Sequence, residues 1–547
     1  MLNQIINYVK DRTRLINWPL LIFLLLVLNV KLILKVSAIL IICIVNRNSI
    51  SIKNFFLQRY LFFYFGLVCI GLINLLLQYK HINRAYMGTA TIGLAFWMMS
   101  AVIAYQFFIM VQKESTEKIH YTISVFFVLH MVVVFLNFLQ IVFETGSVNP
   151  YTYKGLNQKY YMSTGDFITG ITFDAPVTTA FICAFGILYF LYRKQFLLSL
   201  ASMAALLIMA SNFANLVLVA VFVFAFVFWS SRIQKSVILI CVVMLIVFMA
   251  KISKKNNEHV GRIFYQIIDK PYDLPPVKVF TLDELKKAPD SLLTPEEQRK
   301  KYARNFIDSM NTIRLGNDYQ EPENILAKKS VPDTVKRSTD SSFYKFQQSE
   351  TVEKKINRYA EFLNQAYTAR LRDSMRHAYN WKRPGKWIAA EQLIDFYKSR
   401  HSKILLGDGI ANFSSRLAFK ATMLNMAGQY PGSFKYINPD FLVNHLYVYL
   451  YFHSQEQSNH EASNTPDAVY FQVAGEYGVA GLLMLGFLYV GFFIRRVSRQ
   501  SFGLPLLLLL AGAFFAEYWF EQFSIVVLFE LLMFVEMKDR RREELPV

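Results

Sequence analysis

The residues in this chain best placed for chemistry lie in Ser463–Leu483, which reads SNTPDAVYFQVAGEYGVAGLL. Thr465, Pro466 and Asp467 spell a helix start: a cap, a proline and an acid. In the plain case Asp467 complements the positive helix end, worth a few tenths to about 1 kcal/mol. In the chemical case it takes a proton from an acceptor hydroxyl, or orients His453 or His460 to do so. Glu476 follows about two and a half turns later, in the apolar part of the same helix. A carboxylate there is costly without a partner, which makes it a functional candidate. Gly478 and Gly481 have the spacing that lets helices pack closely, a structural role.

Positive groups that could face an anion come earlier. Arg370, Arg372, Arg376 and Arg383 crowd one segment, and guanidinium forks suit phosphate oxygens. A solvated helix face, or pairing with Glu361, Asp373 and Glu391, is the plainer account of such a run. Gly407-Asp408-Gly409 offers backbone N–H groups to an anion, although Gly-x-Gly alone is more often a tight turn. Asn212 and Asn215 stand at the start of an apolar run, Glu517, Trp519 and Glu521 at a turn between two others, and Asp174 at the start of a further one.

The elements that must position these residues are membrane helices. The 547-residue chain is 54% hydrophobic and only 18% charged, too little charge to cover a soluble fold of this size. Apolar runs recur at about the length that crosses a bilayer. They are expected near 16–30, 33–46, 59–78, 87–112, 119–143, 174–192, 196–211, 213–229, 236–251, 470–494, 504–519 and 521–537. Lys31 and Lys35 divide the first apolar stretch into two passes. That division puts the basic N-terminus on the same side as every short loop rich in Lys and Arg. The spacing therefore predicts an all-α polytopic membrane protein of about twelve transmembrane helices with both termini cytoplasmic. It divides into an N-terminal bundle of about nine passes over 1–251, an extracytoplasmic loop domain over 252–469, and three passes with a basic tail over 470–547.

The long loop is not low in complexity. Thr294-Pro295-Glu296-Glu297 starts one helix. Residues 351–380 carry apolar side chains at intervals of three and four, from Ile356 and Tyr359 to Met375, so a helix with one buried face is expected there. A second follows Pro384, over 386–399. All four cysteines, Cys43, Cys69, Cys183 and Cys241, fall in apolar runs, so packing rather than disulfides must order the loop. No Cys/His spacing suggests a metal. The net charge of +19 suits anionic headgroups, diphosphates or acidic glycans, and there is no nucleic-acid motif.

Two blocks carry a resemblance: Arg383-Pro384-Gly385-Lys386-Trp387 through Gly407-Asp408-Gly409, and Asp467 through Gly481. They resemble the O-antigen ligase and O-antigen polymerase family of membrane glycan transferases. That family pairs an Arg with a Trp four residues on, then Gly-x-Gly, then His-Asn followed by Gln, Glu-x-Gly and a further Gly. Here the later part stands as Gln472, Glu476-Tyr477-Gly478 and Gly481. The order of features is also similar, with a large loop before the last three passes and Trp519-x-Glu521 near the end. Two positions depart. Asp467-Ala468 stands where the family has His-Asn, and Ser211-Asn212 where it has Ser-Arg. The family's general base therefore has no matched position, and His460 is the substitute candidate.

The resemblance implies transfer of a glycan from an undecaprenyl-diphosphate carrier to a hydroxyl on lipid A-core, a glycan or a protein, outside the bacterial cytoplasmic (inner) membrane. Arg383, with Arg370, Arg372, Gly407, Gly409, Asn212 and Glu521, would contact donor or glycan, and His460, Asp467 and Glu476 would act in catalysis. Neither metal nor cofactor is implied, because the diphosphate is the leaving group. Ligase, polymerase and protein O-oligosaccharyltransferase all fit this reading. A non-enzymatic polysaccharide or lipid transporter is the alternative of another class. It should show interrupted helices or a repeat around a midplane site, whereas the polar groups here gather at one surface.

Overall fold

The computed structural model describes residues 13–78, 83–152, 168–173, 176–253, 282–289, 295–316, 352–426, 435–455, 462–497 and 501–544, with single positions 261, 265 and 293. Within these residues the fold is all-helical, without a strand. Six helices are long and apolar enough to cross a membrane: Arg59–Leu77, Arg84–Lys113, Thr116–Thr145, Asn212–Trp229, Arg232–Ile252 and Ala462–Ile494. Trp18–Val27, Leu32–Val45, Pro176–Tyr192, Phe196–Ile208 and Gly503–Ala513 are apolar but shorter, at 10–17 residues. Ile33, Leu76, Phe143, Leu197 and Phe228 stand 72–83% exposed on helix flanks. Large apolar groups turned outward in this number mark a membrane protein.

The first apolar stretch is divided as expected, between Val27 and Leu32. Lys35 is not at the division. It lies inside the second helix, buried, with its ammonium donating to the Gln522 carbonyl. The last two expected passes are also drawn differently. Gly503–Ala513 ends early, a four-residue helix Trp519–Gln522 follows, and Phe523 turns the chain with φ 51° into Ile525–Glu544. That final helix is the axis of the bundle. Its side chains from Ile525 to Val535 are buried on every side, packed by Arg84–Lys113, Gly503–Ala513, Thr116–Thr145 and Pro176–Tyr192. A helix apolar all round is stable only in such a place. Its one interior acid in that span, Glu530, accepts from the Tyr64 hydroxyl.

The described residues of 352–426 and 435–455 fold as helices and turns lying against this bundle. Pro295–Gly316 starts where the cap and proline predict. The helix expected over 351–380 is two helices, Val352–Ala366 and Ala369–Ala378. Thr368 causes the division, its hydroxyl capping the Leu371 N–H, while buried Tyr367 donates to the Leu442 carbonyl at 2.7 Å. Gly385–Ser399 then follows Pro384.

One contact ties this subdomain to the membrane wall. The helix Val469–Leu483 is broken at Gly478, where φ is 67° and ψ −164°. The break frees carbonyls before it and N–H groups after it, and the segment 404–409 takes up both. Asp408 N–H donates to the Gly475 carbonyl (2.9 Å) and Gly409 N–H to that of Glu476 (3.0 Å). In return Val479 N–H donates to Ile404 (2.9 Å) and Ala480 N–H to Leu405 (3.0 Å). Such bonds are worth about 0.5–1.5 kcal/mol each when made, and more is lost when a buried group is left bare. The approach needs glycine on both sides. Gly407 (φ 74°) would place a Cβ 2.4 Å from the Glu476 carbonyl carbon, and Gly478 one 2.5 Å from the Gly407 nitrogen.

Two expectations are corrected here. Gly478 does not serve helix–helix packing; it breaks its own helix. Gly407 and Gly409 do not hold N–H groups open for an anion, since Gly407 N–H donates to Lys403 (2.8 Å) and Gly409 N–H to Glu476. Gly407→Ala and Gly478→Ala should each lose roughly 2–4 kcal/mol from the clash and the positive φ, read as a lower thermal midpoint of the detergent-solubilised protein. Gly486→Ala, whose Cβ meets nothing within 4 Å, should leave the midpoint unchanged.

Candidate functional site

Just before the broken helix the chain runs extended. Ala468 has φ −162° and ψ 139°, and Val469 N–H donates to the Phe514 carbonyl at 2.8 Å. The helix therefore begins at Val469, three residues after Pro466 where the sequence pattern would start it, and Asp467 does not cap it. This frees the Asp467 carboxyl to face other groups: the Thr465 and Tyr518 hydroxyls and the charges of Lys386 and Arg416.

The two cations come from different elements. Lys386 opens Gly385–Ser399, docked by Gly385 N–H on the Asn464 side chain (3.1 Å). A Cβ on Gly385 would meet the Asn464 carbonyl oxygen at 2.4 Å, so only glycine allows this seat. Lys386 also donates to the Asp467 backbone carbonyl. Burial pushes its pKa down to about 8, against the pull of Asp467 and Glu517. Arg416 opens the short helix Arg416–Ala421, capped by Ser415 accepting from Ala418 N–H (3.1 Å).

Glu521 sits behind this helix start. One oxygen accepts from Leu417 N–H at 2.8 Å and the other from the Gln472 amide at 2.7 Å. Both oxygens are thus engaged in holding the wall together. Glu476 is fully buried near Glu521. Its closest donors, the Ser415 hydroxyl and the Ala411 and Ser414 N–H groups, lie in the turn opposite, short of well-formed hydrogen bonds.

A third layer lies beneath Asp467. His445 is fully buried. Its Nε2 faces the Ala389 carbonyl at 3.0 Å and so carries the proton, which leaves Nδ1 to accept from the Ser414 hydroxyl at 2.6 Å. Ser414 in turn accepts from the Tyr518 hydroxyl at 2.8 Å. Burial first, and the nearby Lys386 charge, take the His445 pKa down to about 3, with the Ala389 bond opposing. The imidazole is neutral, and this hydrogen-bonded chain fixes the Tyr518 ring beside Asp467 with its one proton given to Ser414.

The remaining candidates fall elsewhere. Arg383 pairs with Glu391 at 2.7 Å and lies over the Trp387 ring at 5.7 Å. Glu391 also accepts from Trp387 Nε1 at 2.9 Å. This is the plainer pairing of the two considered, and the Arg–Trp spacing of four is what stacks them. Arg370 is solvent-exposed, and Arg372 donates to Asn364 on the neighbouring helix. His453 stacks on Tyr449, with ring centroids 4.0 Å apart, rather than on Asp467. Asn212 starts Asn212–Phe224, which packs mainly against Gly503–Ala513. Trp519 is core, its Nε1 donating to the Ala513 carbonyl at 2.6 Å. His460 and Asp174 lie outside the described residues.

Arg416, Lys386, Ser414, His445 and Tyr518 are not among the residues singled out by sequence. Only Arg416 carried a signal: a cation in the first turn after a serine cap opposes the helix dipole, and such local conflict marks functional positions. Chemically, two cations flanking one carboxyl at a polar surface can hold an anionic oxygen and receive a proton beside it. Comparison of the chain with family models, with curated proteins and with solved structures finds no match.

A further acid, Asp408, is almost fully buried in the loop that meets the broken helix, and Lys403 pairs with it at 3.2 Å. Burial raises its pKa to about 7, with Lys403 opposing. A carboxyl raised in the fold from its ordinary value near 3.8 stabilises most below that value, and the contribution is lost as pH rises through 7. The protein should therefore be less stable at pH 8 than at pH 5. Asp408→Asn should shrink that difference by on the order of 1–3 kcal/mol, read from thermal midpoints at both pH values.

Proposed function

We propose that this protein transfers a glycan from an undecaprenyl-diphosphate carrier to an acceptor hydroxyl at the outer face of the bacterial cytoplasmic membrane. The observation that carries the reading is Lys386 seated on the Asp467 backbone carbonyl, with the Asp467 carboxyl in the field of both Lys386 and Arg416. In this reading twelve helices cross the membrane, both termini are cytoplasmic, and the segment before Asp467 lies outside. Lys386 and Arg416 bind the diphosphate. They stabilise the negative charge that it gains as the bond from the sugar's anomeric carbon to its phosphate oxygen breaks. Asp467 takes the acceptor proton as the new carbon–oxygen bond forms. Glu521 and Gln472 hold the helix start that aims Arg416. Tyr518, set by Ser414 and His445, forms the wall beside Asp467. Arg383 is a guanidinium at the rim, its pair with Glu391 partly exposed and cheap to exchange for a ligand.

The break at Gly478 favours a second reading, since interrupted helices line the sites of transporters. Against it, the groups freed by this break are taken by Asp408, Gly409, Ile404 and Leu405, so none faces a solute path.

Asp467→Asn and Arg416→Ala should each lower glycan transfer from a lipid-linked donor by roughly 100-fold or more, with Arg416→Lys intermediate. Surface glycan unchanged in both variants, at normal protein level, would overturn the transferase. In cells, loss of attachment while long chains are still made indicates a ligase. Products of a single unit indicate a polymerase.

A further inference from the structure

Three helix faces of the subdomain converge on a second cleft, apart from the Asp467 cluster. Ala360 and Asn364 lie one turn apart on Val352–Ala366, Arg372 and Arg376 on Ala369–Ala378, and Tyr447 and Tyr451 on Tyr447–His453. The cavity between them is about 200 Å³, smaller than a pocket that encloses a whole small ligand (roughly 300–1,000 Å³) and open on one side, as suits one segment of a longer chain.

The chemistry of the walls is specific. Among the described residues no acidic side chain lines the cleft. Arg372 is steadied by donating to Asn364, and neither arginine belongs to an ion pair among the described residues. Like charges one turn apart on a helix repel; here Arg372 is held by Asn364 and Arg376 by the Tyr447 hydroxyl, and both guanidinium groups keep further donors for a ligand. The opposite wall is rigid and aromatic. Tyr451 rests against Trp381 with centroids 4.3 Å apart. Trp381 meets Tyr447 at 5.4 Å and 78°, and Tyr447 meets Tyr367 at 5.1 Å. Rings locked in this way present area and hydroxyls at little entropy cost.

The geometry points to this cleft as a binding site for an acidic oligosaccharide segment, with Arg372 and Arg376 on its anionic groups and Tyr447 and Tyr451 against a sugar ring. Guanidinium forks match planar carboxylates and phosphates. A free phosphate would have no use for the aromatic wall, and a neutral sugar would leave two arginines facing each other unneutralised. The inference rests on the glycan-transfer reading for its natural ligand, but the cleft's residues do not include Asp467, Arg416 or Lys386. It would hold the donor or acceptor glycan at a distance from the reacting carbon.

The test uses the full-length protein in nanodiscs, titrated with trigalacturonate, maltotriose or inorganic phosphate. Trigalacturonate should bind, more weakly at high salt, and better than either of the other two. Arg372→Gln or Arg376→Gln should weaken it about tenfold or more, and Tyr451→Ala several-fold. Lys398→Gln, which removes an exposed charge elsewhere, should not change it. Thermal midpoints equal to the parent's show that each variant is folded. No trigalacturonate binding, equal binding of maltotriose or phosphate, or unchanged binding in both arginine variants would overturn the site. Asp467→Asn separates this from the catalytic reading. It should bind trigalacturonate fully while failing in transfer; normal transfer with binding intact would remove the transferase and leave the cleft.

Discussion

A membrane helix cannot be interrupted without finding partners for the backbone groups it releases, because lipid supplies none. The break at Gly478 meets that constraint with four backbone hydrogen bonds to the segment 404–409. This exchange sets the pose of a soluble-looking subdomain on the bundle at its backbone. It demands left-handed backbone at Gly407, Gly409 and Gly478, and side chains reinforce it. Asn74 and Gln78 donate to the Leu406 and Asp408 carbonyls at 2.7 and 3.0 Å. Ile410 sinks into a notch where any Cβ on Gly71 or Gly93 would lie within 2.8 Å of it.

The chemistry follows from that pose. Once 404–409 is seated, the turn 411–415 is held over Glu476, and Arg416 emerges at the start of its own helix. That helix start is anchored on Glu521, so a cation that its dipole disfavours is kept in place by a buried carboxylate. From the other side Gly385 against Asn464 brings Lys386 to Asp467. Lys386 thus reaches the Asp467 backbone, and both cations bear on its carboxyl by charge, from elements far apart in sequence. The neutral His445 below adds orientation without charge, through Ser414 and Tyr518. Carboxylates with different tasks are separated by surroundings: Glu521 has both oxygens engaged by donors, while Asp467 is flanked by cations at a partly exposed surface.

Much of this was legible from residue patterns. Apolar runs locate the helices, and Pro295 and Pro384 mark two helix starts. Glu476 stands out because charge is costly among apolar residues, and Asp467 and Glu521 because they sit where apolar runs begin or turn. What was misread shares one cause. Gly-x-Gly at Gly407 and Gly409 suits a tight turn or an anion loop, and Gly478 with Gly481 suits helix packing; a positive φ and an exchange of backbone bonds leave no periodicity that would tell otherwise. Thr465-Pro466-Asp467 has the composition of a cap, yet Val469 finds its acceptor at Phe514 on another helix, so tertiary pairing overrides the local signal. Arg416, Lys386 and His445 are ordinary residues until their neighbours are known.

By itself, then, the sequence determined the class of molecule and the costly charges: apolar runs must enter a membrane, and carboxylates at their outer ends must have a purpose. Only the tertiary structure decided which cations meet Asp467, and that Arg383 meets Glu391 instead. The physical reason is range. Hydrophobic periodicity acts within one helix and shows in one stretch of sequence, whereas a charge cluster or a repaired helix break is a sum over segments that only folding brings together.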